Sequence, residues 1–143
     1  MLGVFSAMEV AASGLSAERT RMNTIASNLA NARTSRTAAG GPYKRIDPVF
    51  EAVSFEGALR RSVGNSGVSL VRVSRVVEDT RPGQMVYEPG HPDANAQGYV
   101  EYPNVNAVEE MVNMIETQRA YSADSKAFQV ATDMADVLVN LKV

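Results

Sequence analysis

Apolar residues in the first thirty positions recur with a period of seven. Met1, Met8, Leu15, Met22 and Leu29 form one series, and Val4, Ala11, Ile25 and Ala32 follow three residues behind its members. That spacing predicts a helix with a narrow seam for another helix, interrupted at Glu18. Ser6 followed three residues later by Glu9 matches a capping box, so the ordered helix is expected to start near Ser6. The residues beside the seam are small: Ala12, Ser13 and Ala26, with Gly14 in mid-helix at a cost of about 1 kcal/mol relative to Ala. Each buried methylene contributes about 0.8 kcal/mol, so a helix of so little bulk gains little by itself. It is expected to order when matching helices surround it.

The pattern then changes. Gly40, Gly41 and Pro42 end any helix, and "PVFEAVSF" and "GVSLVRVSRVV" are Val- and Phe-rich runs with partial alternation, bounded by Gly64, Gly67 and Pro82, which predicts two short strands. Met85 to Tyr87 and Tyr99 to Tyr102 flank a polar tip and predict a β-hairpin with a long loop. Asn106 offers an N-cap, with Glu109 at the reciprocal position and Pro103 blocking extension backwards. From there Val108, Val112, Ile115, Ala123, Ala127, Val130, Met134, Val137 and Leu141 fall at helical spacing, Arg119 filling the one gap.

The predicted class is α+β: long N- and C-terminal helices forming a coiled coil, with a small β-rich middle segment. The parts are residues 1–34, 35–103 and 104–143. At about 1.5 Å per residue, helices of roughly 40 and 55 Å are too long to hide against the middle segment. An antiparallel helical hairpin with a monomeric core satisfies the composition equally well. Helix length favours assembly with further copies.

Composition narrows the function. The 143 residues carry 14 Lys and Arg against 16 Asp and Glu, a formal net charge of −2, which gives no basic field for nucleic acid or an anionic membrane. Basic and acidic residues number two and two in 1–32, nine and eight in 33–103, and three and six in 104–143. The absence of cysteine excludes disulfides and thiolate metal sites, and fits a chain that must stay threadable. No membrane span and no cleaved secretory signal are predicted.

Candidate chemistry is sparse. His91, the only histidine, stands near Glu88 and Asp93, but Pro89, Gly90 and Pro92 favour a turn over a metal or acid–base site. Glu109 and Glu110 lie in the first turn of a helix, where the dipole favours negative charge, so capping is preferred to a catalytic pair. Gly40, Gly41 and Lys44 do not have phosphate-loop spacing. Arg60, Arg61, Arg72, Arg75 and Arg81 read as a solvated surface balanced by Glu56, Glu78 and Asp79 rather than as a polyanion site. Tyr87, Tyr99 and Tyr102 suit half-buried strand positions at least as well as sugar stacking. No nucleophile, base and orienting group come together, so no catalytic, cofactor or metal residue is assigned.

"AASGLSAERTRMNTIASNLANA" resembles the N-terminal signature of the bacterial flagellar rod, hook and filament-axis family, and "GYVEYPNVNAVEEMVNMIETQRAY" resembles its C-terminal counterpart. "GGPYKR" and "VYEPGHPDANAQGYVEYPNVN", with the short middle segment, are similar to its proximal-rod members rather than the longer distal-rod or hook members. The resemblance implies a non-enzymatic structural subunit of the basal-body proximal rod. Such a subunit assembles helically through its terminal helices, transmits torque in the periplasm, and is exported by the flagellar type III apparatus without a cleaved signal. Its partners would be copies of itself, other rod proteins and the export apparatus. The assembly interface would fall on Met8, Ala11, Leu15, Met22, Ile25 and Leu29 of the first helix. On the last helix it would fall on Val108, Val112, Ile115, Tyr121, Val130, Met134, Val137 and Leu141. The alternative is an export adaptor or chaperone-like module whose exposed helices bind partners transiently.

Overall fold

The structure of the chain, a computed structural model, describes residues 2–54 and 69–141. Met1, Phe55, Glu56, Arg60, Arg61, Gly64 and Gly67, used in reading the sequence, lie outside the described residues. The element order is α1 (Leu2–Ala30), β1 (Ile46–Ser54), β2 (Ser69–Glu78), β3 (Gln84–Tyr87), β4 (Tyr99–Tyr102) and α2 (Ala107–Asn140). The architecture is the expected α+β arrangement of two long terminal helices with a β-rich middle.

The helix α1 starts at Leu2 rather than at Ser6, so Ser6 and Glu9 sit inside it rather than at its N-terminus. The buried small residues Ala11 and Ala17 let α2 and the β1–β2 ribbon approach α1 closely beyond its first turns. Gly14 marks a point of close approach, because a Cβ built there would lie 2.5 Å from Asp124 Oδ2 on α2. The glycine thus pays its helix-propensity penalty for proximity.

β1 and β2 form an antiparallel ribbon from Ile46↔Glu78 to Ser54↔Ser69, with a register shift between Val49 and Phe50. Pro48 is tolerated because a two-stranded ribbon has only edge strands. α1 shields one edge: the Val71 N–H donates to Ser13 Oγ at 3.2 Å. β3 and β4 form a separate antiparallel pair from Gln84↔Tyr102 to Tyr87↔Tyr99, the predicted hairpin. Gly98, with φ +81, closes its tip, where Tyr87 and Pro89 leave no room for a Cβ. Asn106 caps α2 as predicted, its side chain accepting from the Val108 and Glu109 N–H groups at 3.0 and 3.4 Å.

The distribution of burial is inverted relative to an ordinary small domain. Among the described residues, the largest fully buried side chains are Glu110, Val100, Asn28 and Thr117. The bulky aliphatics of α2 lie outside. The fully covered residues of α2 are Glu110, Thr117 and Ala131, with Met114, Tyr121 and Phe128 half-buried beside them, and the Thr117 hydroxyl donates to the Asn113 carbonyl at 2.7 Å.

Candidate assembly interface

Two features organise the surface: an apolar stripe facing outward on α2, and a buried polar cluster on the opposite side of that helix. The stripe runs almost the whole helix. Val108 is 70% exposed, Ile115 51%, Val130 57% and Leu141 75%, with Val112, Met134 and Val137 similarly open. Met111 and Leu138 widen it. Large apolar residues grouped on one helix face at both ends of α2, with Arg119, Ala123 and Ala127 between them, are unlike the singly scattered ones of a monomer surface.

The cluster starts at Asn28, 1% exposed on α1. Its Nδ2 donates to the Ile46 carbonyl at 2.9 Å and to Glu110 Oε2 at 3.3 Å. Its Oδ1 accepts from Ile46 N–H and from Tyr43 Oη–H, both at 3.0 Å. The carboxylate of Glu110, with no exposed surface, also accepts from Arg45 Nε at 2.6 Å. Arg45 pairs in addition with Asp47, and its N–H donates to Asn104 Oδ1 at 3.0 Å. Burial works hardest against the Arg45 charge, yet the bonds and fields of Glu110 and Asp47 together raise its pKa. α1, the Tyr43–Ile46 stretch and α2 meet at this one cluster.

The structure divides the sequence-derived interface residues into two groups. Val108, Val112, Ile115, Val130, Met134, Val137 and Leu141 lie on the outward stripe. Ala11 and Ile25 are buried within the chain, and Met8, Leu15, Met22 and Leu29 are half-buried, as is Tyr121.

Two readings require correction. Glu110 does not serve merely as a first-turn charge: it is the buried acceptor for Arg45 and Asn28, and among the described residues the reciprocal bond from Asn106 N–H to Glu109 is not formed. The dipole argument is local, whereas the partner of Glu110 stands 65 residues away. Tyr87 and Tyr99 are 62% and 42% exposed rather than half-buried, because they lie on the face of the β3–β4 pair opposite the buried Val100; they meet edge to face at 5.2 Å. Asn28, Tyr43 and Arg45 went unassigned by sequence reasoning. The one available signal was an asparagine at an inward position in a run of small residues.

The remaining candidates have local roles. His91 Nδ1 accepts from the Asp93 N–H at 3.1 Å inside the tip, which makes it a turn residue. Asp93 accepts from Ser35 Oγ at 2.8 Å, a bond that, with help from Arg36, lowers its pKa. Tyr102 donates to Glu88 at 3.0 Å, and that bond raises the phenol's pKa. Arg72 pairs with Glu51 at 2.9 Å and Arg81 with Asp79. The side-chain and backbone hydrogen bonds from Arg81 hold the Asp79 carboxyl at a pKa of about 2. Among the described residues there is no cluster of three metal-binding side chains, and no helix is long and apolar enough to cross a membrane.

Comparison with known proteins agrees with both ends of this arrangement. Residues 8–36, in α1 and the loop after it, match the family Flagella basal body rod protein. Residues 96–141, spanning β4 and α2, match the family Flagellar basal body rod FlgEFG protein C-terminal. The flagellar basal-body rod protein FlgC of Borreliella burgdorferi is 39% identical, covering 93% of this chain and 93% of the relative. The FlgC proteins of Aquifex aeolicus and Bacillus subtilis are 39% and 37% identical, covering 94% and 91% of this chain and 93% and 92% of their own lengths. Two long helices with matching signatures, and relatives similar from end to end, lead to one assignment: the chain belongs to the FlgC family of flagellar basal-body rod proteins.

Proposed function

We propose that this chain is a structural subunit of the proximal rod, assembling helically with copies of itself and other rod proteins through its terminal helices and transmitting torque without chemistry. We further assign it to the periplasmic part of the basal body, reached through the flagellar type III apparatus without a cleaved signal. The observation carrying the reading is the outward stripe of α2, which supplies an apolar contact surface that the single chain leaves open. The N-terminal seam residues support it from the other side, by holding α1 against α2 so that the two helices enter the assembly as a pair.

Ile115→Asp tests the proposal. An unpaired carboxylate in a helix interface costs several kcal/mol, so incorporation into basal bodies and motility are expected to be lost. Ile115 is exposed in the free chain, so its solubility and secretion are expected to persist. Glu116→Gln, an exposed neighbour, serves as the control and is expected to change stability by at most about 0.5 kcal/mol. Normal swimming with Ile115→Asp overturns the assignment of the stripe.

A further inference from the structure

The orientation of α2 poses a physical problem. Hydrophobic burial alone would drive Val108, Val112, Ile115, Val130 and Met134 against α1, yet the helix leaves them exposed and turns inward a mixed face on which Glu110 and Thr117 are fully buried beside half-buried Met114, Tyr121 and Phe128. Successive residues rotate by about 100°, so Glu110 lies about 200° from both Val108 and Val112, on the opposite side of the helix. Rotating α2 by half a turn would bury the stripe and carry Glu110 into solvent.

We infer that the Glu110–Arg45–Asn28 cluster is an orientation key: it selects the rotation of α2 that keeps the apolar stripe outward and so keeps the free chain competent to assemble. The key has a defined socket. Asn28 is anchored by bonds to both the N–H and the carbonyl of Ile46, which leaves one amide hydrogen aimed at Glu110. Arg45 is only 14% exposed at its side chain and presents Nε to the other carboxylate oxygen. Half a turn of α2 would take the Glu110 carboxylate away from both Arg45 Nε and that amide hydrogen. Among the described residues α2 packs little on any β-strand, and this cluster ties the helix to the start of β1. A buried ion pair adds little net stability over an apolar replacement of similar size, but it penalises every arrangement that leaves one partner alone. Glu110 is therefore a positioning residue for the assembly face. The inference rests on reading the stripe as that face.

The experiment uses the absence of cysteine. Ile115→Cys supplies one thiol on the stripe, and its maleimide-labelling rate is compared between the otherwise native chain and the Arg45→Met/Glu110→Leu double variant. Circular dichroism confirms helix content in both. Labelling is expected to slow by about tenfold or more in the double variant as α2 turns inward, with incorporation into basal bodies lost. Should the double variant unfold, Glu110→Gln, which keeps the shape and removes the charge, carries the comparison. Equal labelling rates in whichever of these variants keeps its helix content overturn the inference. Labelling of the Ile115→Cys chain within isolated basal bodies isolates the underlying proposal: a thiol reactive there removes the stripe from the interface, whatever the free chains show.

Discussion

Gly14→Ala has a sign that depends on a residue in the other helix. In an unobstructed helix the change is favourable by about 1 kcal/mol. Here the new methyl would lie 2.5 Å from Asp124 Oδ2 and 3.1 Å from its Cγ, closer than real carbon contacts comfortably come. Asp124 must turn or α2 must move. Overpacking of this kind costs about 1–3 kcal/mol, so the net change in the native background runs from near zero to a loss of about 2 kcal/mol. Asp124→Ala removes the obstructing carboxylate, and in that background Gly14→Ala is expected to recover the full gain of about 1 kcal/mol. The two substitutions should therefore couple by about 1–3 kcal/mol, as residues in direct contact do. Urea unfolding of the purified chain, followed by helix dichroism, measures all four corners of this cycle. Additive effects, or a gain from Gly14→Ala alone equal to that in the Asp124→Ala background, refute the close approach of the helices at this point.

Two further outcomes follow from the geometry. Burial raises the Glu18 carboxyl above its ordinary 4.5; the field of Arg21 opposes that shift and Asp124 reinforces it. The folded chain thus holds the proton more tightly than the unfolded one, and stability from this group is complete below 4.5 and declines as pH rises through the folded value. Glu18→Gln should remove that decline and raise the urea midpoint at neutral pH. A midpoint for Glu18→Gln that falls as steeply as that of the native chain over this interval contradicts the assignment. At the other end of the molecule, a Cβ at Gly83 would sit 1.9 Å from the Tyr102 carbonyl oxygen, a backbone atom that cannot rotate away. Gly83→Ala should break the pairing that starts at Gln84↔Tyr102 and abolish amide-exchange protection in β3 and β4, while α1 and α2 keep theirs. Retained protection in β3 removes this steric account.

Local signals were sufficient for much of the fold. β-Branched runs marked β1 and β2, and paired aromatic pieces around a Pro- and Gly-rich tip marked the β3–β4 hairpin. Asn106 marked the start of α2 because a cap is a bond between near neighbours. The period of seven marked α1, but not its first residue: the helix begins at Leu2, ahead of the cap expected at Ser6. The outward residues of α2 were also legible, since their spacing defines one helical face wherever that face points.

The direction of each face was a tertiary matter. Periodicity establishes that Val108, Val112 and Ile115 share a side of α2; whether that side turns toward α1 or away depends on what the opposite side meets. Glu110 has no sequence neighbour that reveals a buried role, and its acceptors are satisfied by Arg45 and Asn28 only after the chain between them has folded. Gly14 looked like an unfavourable residue until Asp124 was brought against it. The elements and their amphipathic sides were thus legible in the residue order, because they depend on spacing along one helix or strand. The polar key and the close helix approach came from contacts between residues far apart in the chain, whose cost and benefit exist only once burial removes water.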